Sequence, residues 1–394
     1  MNIKTNFLGL AIFFFSSSSF AFDLSIGDPK STQGQIKLSG IVLSNYVHKN
    51  YDMQIYEGDR NDYWDIAGIQ LALNYDNPNW EGYIQTRCYQ YDRMCEALFL
   101  RDAWLGYKIS EHQKISAGLQ PVDFGFGRLW GSSYYETILN TVGLEDINNL
   151  GLKYQYNDGQ NNFTFGFYPR DGGDYKGTSK DASRYSGNFV TADDLTSGTN
   201  IKEKNMFVTR ASKKVILNKD QSLSTELGGS AWYSKLENKK THLNGDRNAW
   251  NIFANTQYKG WQWSVIAGEQ NIDNADTLMP NESTIGAFDY AYQVANKGKY
   301  VANEINYSFQ EPVYKLENFR PYLTYSRFIK DKADYIDSER LTAGLYFSYK
   351  SIGFQGEYIF SRNDPMLGGS ANGLAQGDSK QWNQMLYILL GYYF

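Results

Sequence analysis

Apolar and polar side chains alternate along most of this chain with a period of two, the spacing of strands that turn one face to an apolar medium. Trp80, Gly82, Ile84 and Thr86 fall on one face, and Glu81, Tyr83, Gln85 and Arg87 on the other. The rhythm recurs in Ile36, Leu38, Gly40 and Val42, in Ile69, Leu71, Leu73 and Tyr75, and in Ala103, Leu105, Tyr107 and Ile109. Later examples are Phe163, Phe165 and Phe167, then Trp250, Ile252 and Ala254, then Leu341, Ala343, Leu345, Phe347 and Tyr349. The last run is Leu386, Ile388, Leu390, Tyr392 and Phe394. Tight turns such as Asn157-Asp158-Gly159 and Lys259-Gly260 join some of these runs, the chemistry of hairpins. The pattern predicts about sixteen antiparallel strands, with short and long connections in alternation. The long connections fall at 50–63, 120–149, 169–204, 235–248, 270–299, 330–338 and 362–381, with a smaller one at 88–95 on the same side.

An even strand count with alternating loop lengths predicts an all-β fold, a transmembrane antiparallel β-barrel with long extracellular loops and short periplasmic turns. In lipid a sheet must close on itself, because an open edge would leave backbone groups without partners. A soluble β-sandwich is the competing reading. The N-terminus bears on it: Lys4 precedes a short apolar run, Phe7 to Phe15, and Ser19-Phe20-Ala21 offers a small-residue cleavage site. That run is far below the roughly 20 residues of a spanning helix and reads as a signal peptide, residues 1–21. The barrel is then 22–394, and the formal net charge of −5 becomes about −6 on losing Lys4. Aromatics make up 16% of the chain, with 32 Tyr, as two interfacial girdles would require. No apolar run of helical-span length follows residue 21, which excludes a helical membrane protein.

The stretch Leu100-Arg101-Asp102-Ala103-Trp104-Leu105-Gly106-Tyr107-Lys108, with Ala117-Gly118-Leu119-Gln120-Pro121-Val122-Asp123-Phe124-Gly125, resembles the phosphate-selective porin O/P family. Leu150-Gly151-Leu152-Lys153-Tyr154 falls where that family's inward loop returns to the wall. The resemblance implies an outer-membrane location, and insertion by the barrel-assembly machinery that reads the terminal aromatic strand. The sequence departs from the family at Pro121-Val122-Asp123, where a carboxylate stands in place of an expected cation.

A barrel of this strand number leaves an aqueous lumen, which predicts passive diffusion of small hydrophilic solutes and ions. Whatever narrows the lumen sets selectivity. The candidate is the loop 120–149, whose glycines permit tight turns and whose aromatics can pack it against the wall; an ordinary extracellular loop is the alternative. Arg87, Asp123, Arg128, Glu136, Lys153 and Arg320 are the expected lumen-lining and constriction residues. Inward parity gives Arg87, Lys153, Arg320 and Lys350 against Glu81, Glu226, Glu304 and Glu357, a balance that favours neither ion sign. Inward Tyr83, Trp232 and Tyr322 are either girdle residues or a sugar-binding stack. A channel specific for phosphate, other oxyanions or oligosaccharides is the nearest alternative. A non-conducting adhesin or receptor barrel and an outer-membrane hydrolase are the others.

Cys88 and Cys95, the only cysteines, flank a short outer loop in an exported chain and predict a disulfide. The three histidines, His48, His112 and His242, fall in no catalytic or metal-binding spacing, and His48 near Asp52 and Asp59 is the one arrangement with acidic neighbours. No enzyme activity, cofactor, metal or nucleic-acid partner is expected. The expected partners are the lipid bilayer, lipopolysaccharide, small hydrophilic solutes and, by analogy with porins of this size, two further copies in a homotrimer.

Overall fold

The computed structural model describes residues 24–53, 60–90, 95, 97–127, 130–172, 184–191, 198–288 and 290–394. The expected signal peptide lies outside the described residues, as do Arg128 and Asp59. In chain order the strands are β1 (Ser25–Asp28), β2 (Gly34–Lys49), β3 (Asp62–Asp76), β4 (Trp80–Tyr89), β5 (Ala97–Ser110), β6 (Gln113–Pro121), β7 (Asn148–Asn157), β8 (Asn161–Asp171), β9 (Arg184–Phe189) and β10 (Ile201–Ile216). They continue as β11 (Leu223–Asn238), β12 (Asn244–Tyr258), β13 (Trp261–Asp273), β14 (Glu282–Phe288), β15 (Tyr290–Ala295), β16 (Lys297–Tyr307), β17 (Glu317–Lys330), β18 (Ser338–Tyr349), β19 (Ile352–Arg362) and β20 (Asn383–Tyr393). One short helix, α1 (Ile138–Val142), interrupts the loop between β6 and β7.

Sixteen of these strands, β2–β8, β10–β13 and β16–β20, form one closed antiparallel barrel. Closure is made where Ile41 of β2 faces Tyr393 of β20 and Lys49 faces Met385. Below that contact β1 continues the column of β20, setting Ser25 opposite Lys37 and Asp28 opposite Gly34. The seam therefore has hydrogen-bonded partners along the whole length of β2, as lipid demands.

The outer face is the alternating apolar set expected from the sequence. Ile36, Leu73, Ile84, Leu105, Leu152, Leu227, Ile252, Ile305 and Leu323 are all exposed there. Near the short turns, aromatic rings run around the wall in contact: Trp261 with Tyr307, Tyr307 with Phe309, Phe309 with Phe319, and Phe347 with Phe354, at centroid separations of 4.9, 4.9, 5.3 and 4.6 Å. Near the long loops, Tyr46 with Trp64 and Phe167 with Phe207 belong to the opposite girdle.

Several details differ from the sequence reading. Strands β11 and β12 extend to Asn238 and from Asn244, so the long connection expected at 235–248 is a tight turn at 239–243. The connection 270–299 instead contains β14 and β15, which join β9 in a separate three-stranded sheet. Lys350 is exposed in the turn after β18 with φ +54°, not in the lumen. Met206 and Val208, whose apolar alternation reads as an outward set, point inward and are buried, because that half of the interior is itself apolar.

A cation placed at mid-height on the outer face measures which side meets lipid. Ile252 is 62% exposed near the middle of β12, and Ile252→Lys should destabilise the barrel by about 2–4 kcal/mol in bilayer unfolding titrations.

Candidate functional site: a loop tied across the lumen

Strands β6 and β7 are short, 9 and 10 residues, and stop part-way up the wall. The described chain between them, 122–127 and 130–147, does not rise outward. It folds into the barrel and runs around the interior, bonding to side chains that the inward parity of the strands supplies.

Its start is held at Pro121 and Asp123. The Lys153 ammonium donates to the Pro121 carbonyl at 2.9 Å and pairs with Asp123 at 3.1 Å, while Gln155 also donates to Asp123. On β10 and β11, the Arg210 guanidinium donates to the Gly125 carbonyl at 2.7 Å, and the Gly125 amide donates to Ser230 Oγ at 2.9 Å. Phe124 packs edge-on to Trp232, and Phe126 packs on Phe253. Further round, Glu304 of β16 accepts from the amide and hydroxyl of Ser132, both at 2.7 Å. Glu357 of β19 accepts from the Tyr134 amide at 2.8 Å and from the Tyr322 hydroxyl at 2.6 Å. Tyr134 then stacks on Tyr387 of β20, with centroids 5.2 Å apart.

The loop returns through α1. Thr137 caps it, accepting from the Leu139 amide, and Gly143 ends it in the left-handed region at φ +79°. A Cβ at Gly143 would lie 2.7 Å from the Gly187 carbonyl oxygen, so only glycine fits there. Arg340 of β18 donates to the carbonyls of Tyr135 and Thr137, to Thr141 Oγ1 and, through two nitrogens, to Asp364. Arg247 of β12 donates to the Gly143 carbonyl at 2.8 Å. Finally Arg101 of β5 pairs with Asp146 at 2.5 Å, both buried. Along β5, β6, β7, β8, β10, β11, β12, β13 and β16 there are eight steps in a ring of sixteen, so the Arg101 and Glu304 anchors stand on opposite walls.

Apolar side chains fill the space on the long-loop side of this tether. Ile138, Leu139, Val142, Leu144 and Ile147 pack with Ile285, Tyr292 and Val294 of the small sheet and with Leu374. Open volume lies instead along β2, β3 and β4: a cavity of about 530 Å³ lined by Lys37, Ser39, Gln70, Tyr83, Gln85 and Tyr393, among others. At its rim Gln85 accepts hydrogen bonds from both Arg87 and Arg101. These two guanidinium groups lie over the ring of Tyr185 at 4.7 and 4.5 Å, and the Tyr185 hydroxyl donates to Asp146. Cavity and tether therefore meet at Gln85, Arg87, Arg101, Tyr185 and Asp146.

The expected site residues divide by position. Arg87 sits at this junction, bonded only to the neutral groups of Gln85, Tyr89 and Tyr185 among the described residues. Arg320 lies over Tyr346 and has no hydrogen-bond or ion-pair partner among the described residues. Lys153, Asp123 and Glu136 are engaged in holding the loop, Glu136 accepting from Asn140 at 2.7 Å. Tyr83 lines the cavity, whereas Trp232 and Tyr322 anchor the loop, so the three form neither a girdle nor a stack. Cys88 and Cys95 are joined in a disulfide beside Arg87. His48 Nδ1 contacts Asp62 at 2.5 Å on an exposed rim, and Asp52 is bonded to Asn61 instead. Arg101, Arg210, Arg247 and Arg340 were not anticipated. Arg340 stands at an inward position of its strand and was legible by parity; Arg210 shares the face of Met206 and Val208, whose apolar character reads as outward, and Arg247 lies in a stretch read as loop. Arg101 is hidden by a register shift between Gln85 and Thr86, which turns both Arg101 and Asp102 inward.

Three carboxyls crowd the end of the loop. Burial, then the neighbouring Asp146 and Glu145, push Glu136 well above the usual carboxylate range. Burial likewise raises Glu145 from 4.5 to about 7, against hydrogen bonds from the Thr137 hydroxyl and amide.

No family model matches the sequence, and no curated protein matches it. Solved structures do resemble it. The outer membrane channel DcaP of Acinetobacter baumannii aligns with a TM-score of 0.60 at 14% identity, covering 93% of this chain and 99% of that one. OmpF of Salmonella typhi, solved in complex with daunomycin, aligns at 0.56 and 13%, covering 94% and 100%. The trimer form of OmpT, an outer membrane protein of Vibrio cholerae, aligns at 0.54 and 12%, covering 92% and 99%. The fold is that of these barrels.

Two measurements test the tether. Arg340→Ala leaves the buried Asp364 carboxylate unpaired and should cost about 3–5 kcal/mol, read as a lowered unfolding midpoint. Glu145 binds its proton more tightly folded than unfolded, so its contribution is complete below pH 4.5 and is lost as the pH rises to about 7. Amide exchange in 136–147, corrected for intrinsic rates, should accelerate across that window, and Glu145→Gln should flatten the profile.

Proposed function

We propose that this protein is a bacterial outer-membrane porin, a channel for passive diffusion of small hydrophilic solutes and ions. The observation that carries the reading is the loop 122–147, tied between opposite walls of a sixteen-stranded barrel, with an open cavity reaching it at Gln85, to which Arg87 and Arg101 donate. An open cavity beside a fixed crossing loop is the arrangement by which a pore is narrowed without being left wide. Arg87, Asp123, Arg128, Glu136, Lys153 and Arg320 are assigned to the constriction and its lining, Arg87 and Arg320 facing solute and Asp123, Glu136 and Lys153 fixing the loop. Assembly as a homotrimer is part of the proposal, in keeping with the trimer form of OmpT.

The charge pattern argues against strong ion preference. Arg320 and Lys37 have no carboxylate partner among the described residues, and Glu304 and Glu357 have no cationic one. The phosphate selectivity implied by the O/P resemblance is weakened further because Lys153 is neutralised by Asp123. A second reading, a barrel that presents its loops and does not conduct, is favoured by the apolar packing on the loop side of the tether.

Planar bilayers separate the two: steady ohmic steps support the channel, and their absence supports the second reading. In a salt gradient Arg87→Glu should move the reversal potential toward cation preference. An unchanged potential would place Arg87 away from the conducting path.

A further inference from the structure

Outside the barrel, at the long-loop end, the register brings three cations side by side. Lys204 of β10 faces Arg170 of β8 on one flank and Lys235 of β11 on the other. Arg170 shares the outward face of its partner Leu150, which is 38% exposed, and Lys235 that of Tyr233, which is 40% exposed. Lys202 and Lys239 extend the patch toward the loop tips. Among the described residues one carboxylate, Glu237, serves both Lys204 and Lys239. Asp246, opposite Lys235 on β12, bounds the row and is bonded to Asn248.

Like charges directly opposite one another across strands destabilise a sheet. Here three adjacent strands each place one at the same height, and among the described residues the carboxylates set against them are Glu237 and Asp246. The height is informative: in the register, Phe167, Phe207 and Tyr233 form the cross-strand row immediately nearer mid-barrel. Interfacial aromatics mark the edge of the hydrocarbon, so the cations lie in the headgroup layer. Asn205, left-handed at φ +49°, makes the bulge that keeps Lys204 facing outward above Phe207.

We infer that Arg170, Lys204 and Lys235 form a docking site for the phosphorylated headgroup of an outer-leaflet glycolipid. Guanidinium and ammonium groups in a row supply charge-assisted hydrogen bonds to phosphate oxygens, and the exposed apolar wall beneath takes the acyl chains. The inference rests on the outer-membrane reading but not on conduction.

The test uses the full chain in zwitterionic nanodiscs, titrated with lipopolysaccharide and with its enzymatically dephosphorylated form, and read by native mass spectrometry. The wild-type barrel should retain the phosphorylated lipid preferentially. Removing three cations in R170Q/K204Q/K235Q should weaken that binding by about a hundredfold, and K235Q alone by about fivefold, at roughly one such increment per basic residue. Heat-modified electrophoretic mobility identifies folded barrels, and K235Q, altered only at an exposed side chain, keeps the test open if the triple variant fails to fold. Equal retention of both lipids, retention unaltered in the folded variants, or complete displacement by inorganic phosphate would overturn the assignment. If the lipid fails to bind while the barrel conducts, the channel reading stands and this one falls; binding without conduction gives the reverse.

Discussion

Every backbone amide and carbonyl that meets hydrocarbon must find a partner within the chain, and closure of the ring is how this sequence meets that demand. The β2–β20 pairing closes it, and β1 finishes the column where β20 stops. Once the cylinder is closed, its two faces acquire separate chemistries. The outside is bound to alternate apolar side chains, and the inside is free to carry Glu304, Glu357, Arg210 and Arg340, which fasten the loop. The lumen is thus organised by residues that could not be tolerated one position along the same strands.

Barrel architecture was legible because it depends on a period of two, and that period is local. Trp80 to Arg87 can be sorted into faces without knowing what any other strand does. The inward loop was legible as a place, through its glycines and aromatics, but its anchors were only partly so. Glu304 and Glu357 keep strict parity and were found. Arg101 was not, because the register shift beside it moves two consecutive residues to one face. Met206 and Val208 were misleading for a different reason. Alternation reports the contrast between two environments, and where the interior is as apolar as lipid it reports only that the residue is in a strand.

The interior packing resembles that of a small soluble domain enclosed by a wall. Loop 122–147, the β9–β14–β15 sheet and the turn near Leu374 bury a shared set of side chains, with α1 at the centre. None of these pieces is long enough to fold by its own burial. Their order comes from the charged and hydroxyl side chains that the strands present at fixed heights. A buried pair such as Arg101 and Asp146 specifies position more than it adds stability, since each charge loses its water.

A hollow cylinder of hinged staves can flatten toward an ellipse with little resistance, because ladder bonds tolerate bending. A strut pinned at β5 and β16 removes that freedom along one diameter. Squeezing by the surrounding bilayer would then be felt along the perpendicular axis, where β10, β11 and β20 hold the loop by single bonds and ring contacts. The cross-section of the molecule is in this sense a property of its interior as much as of its wall.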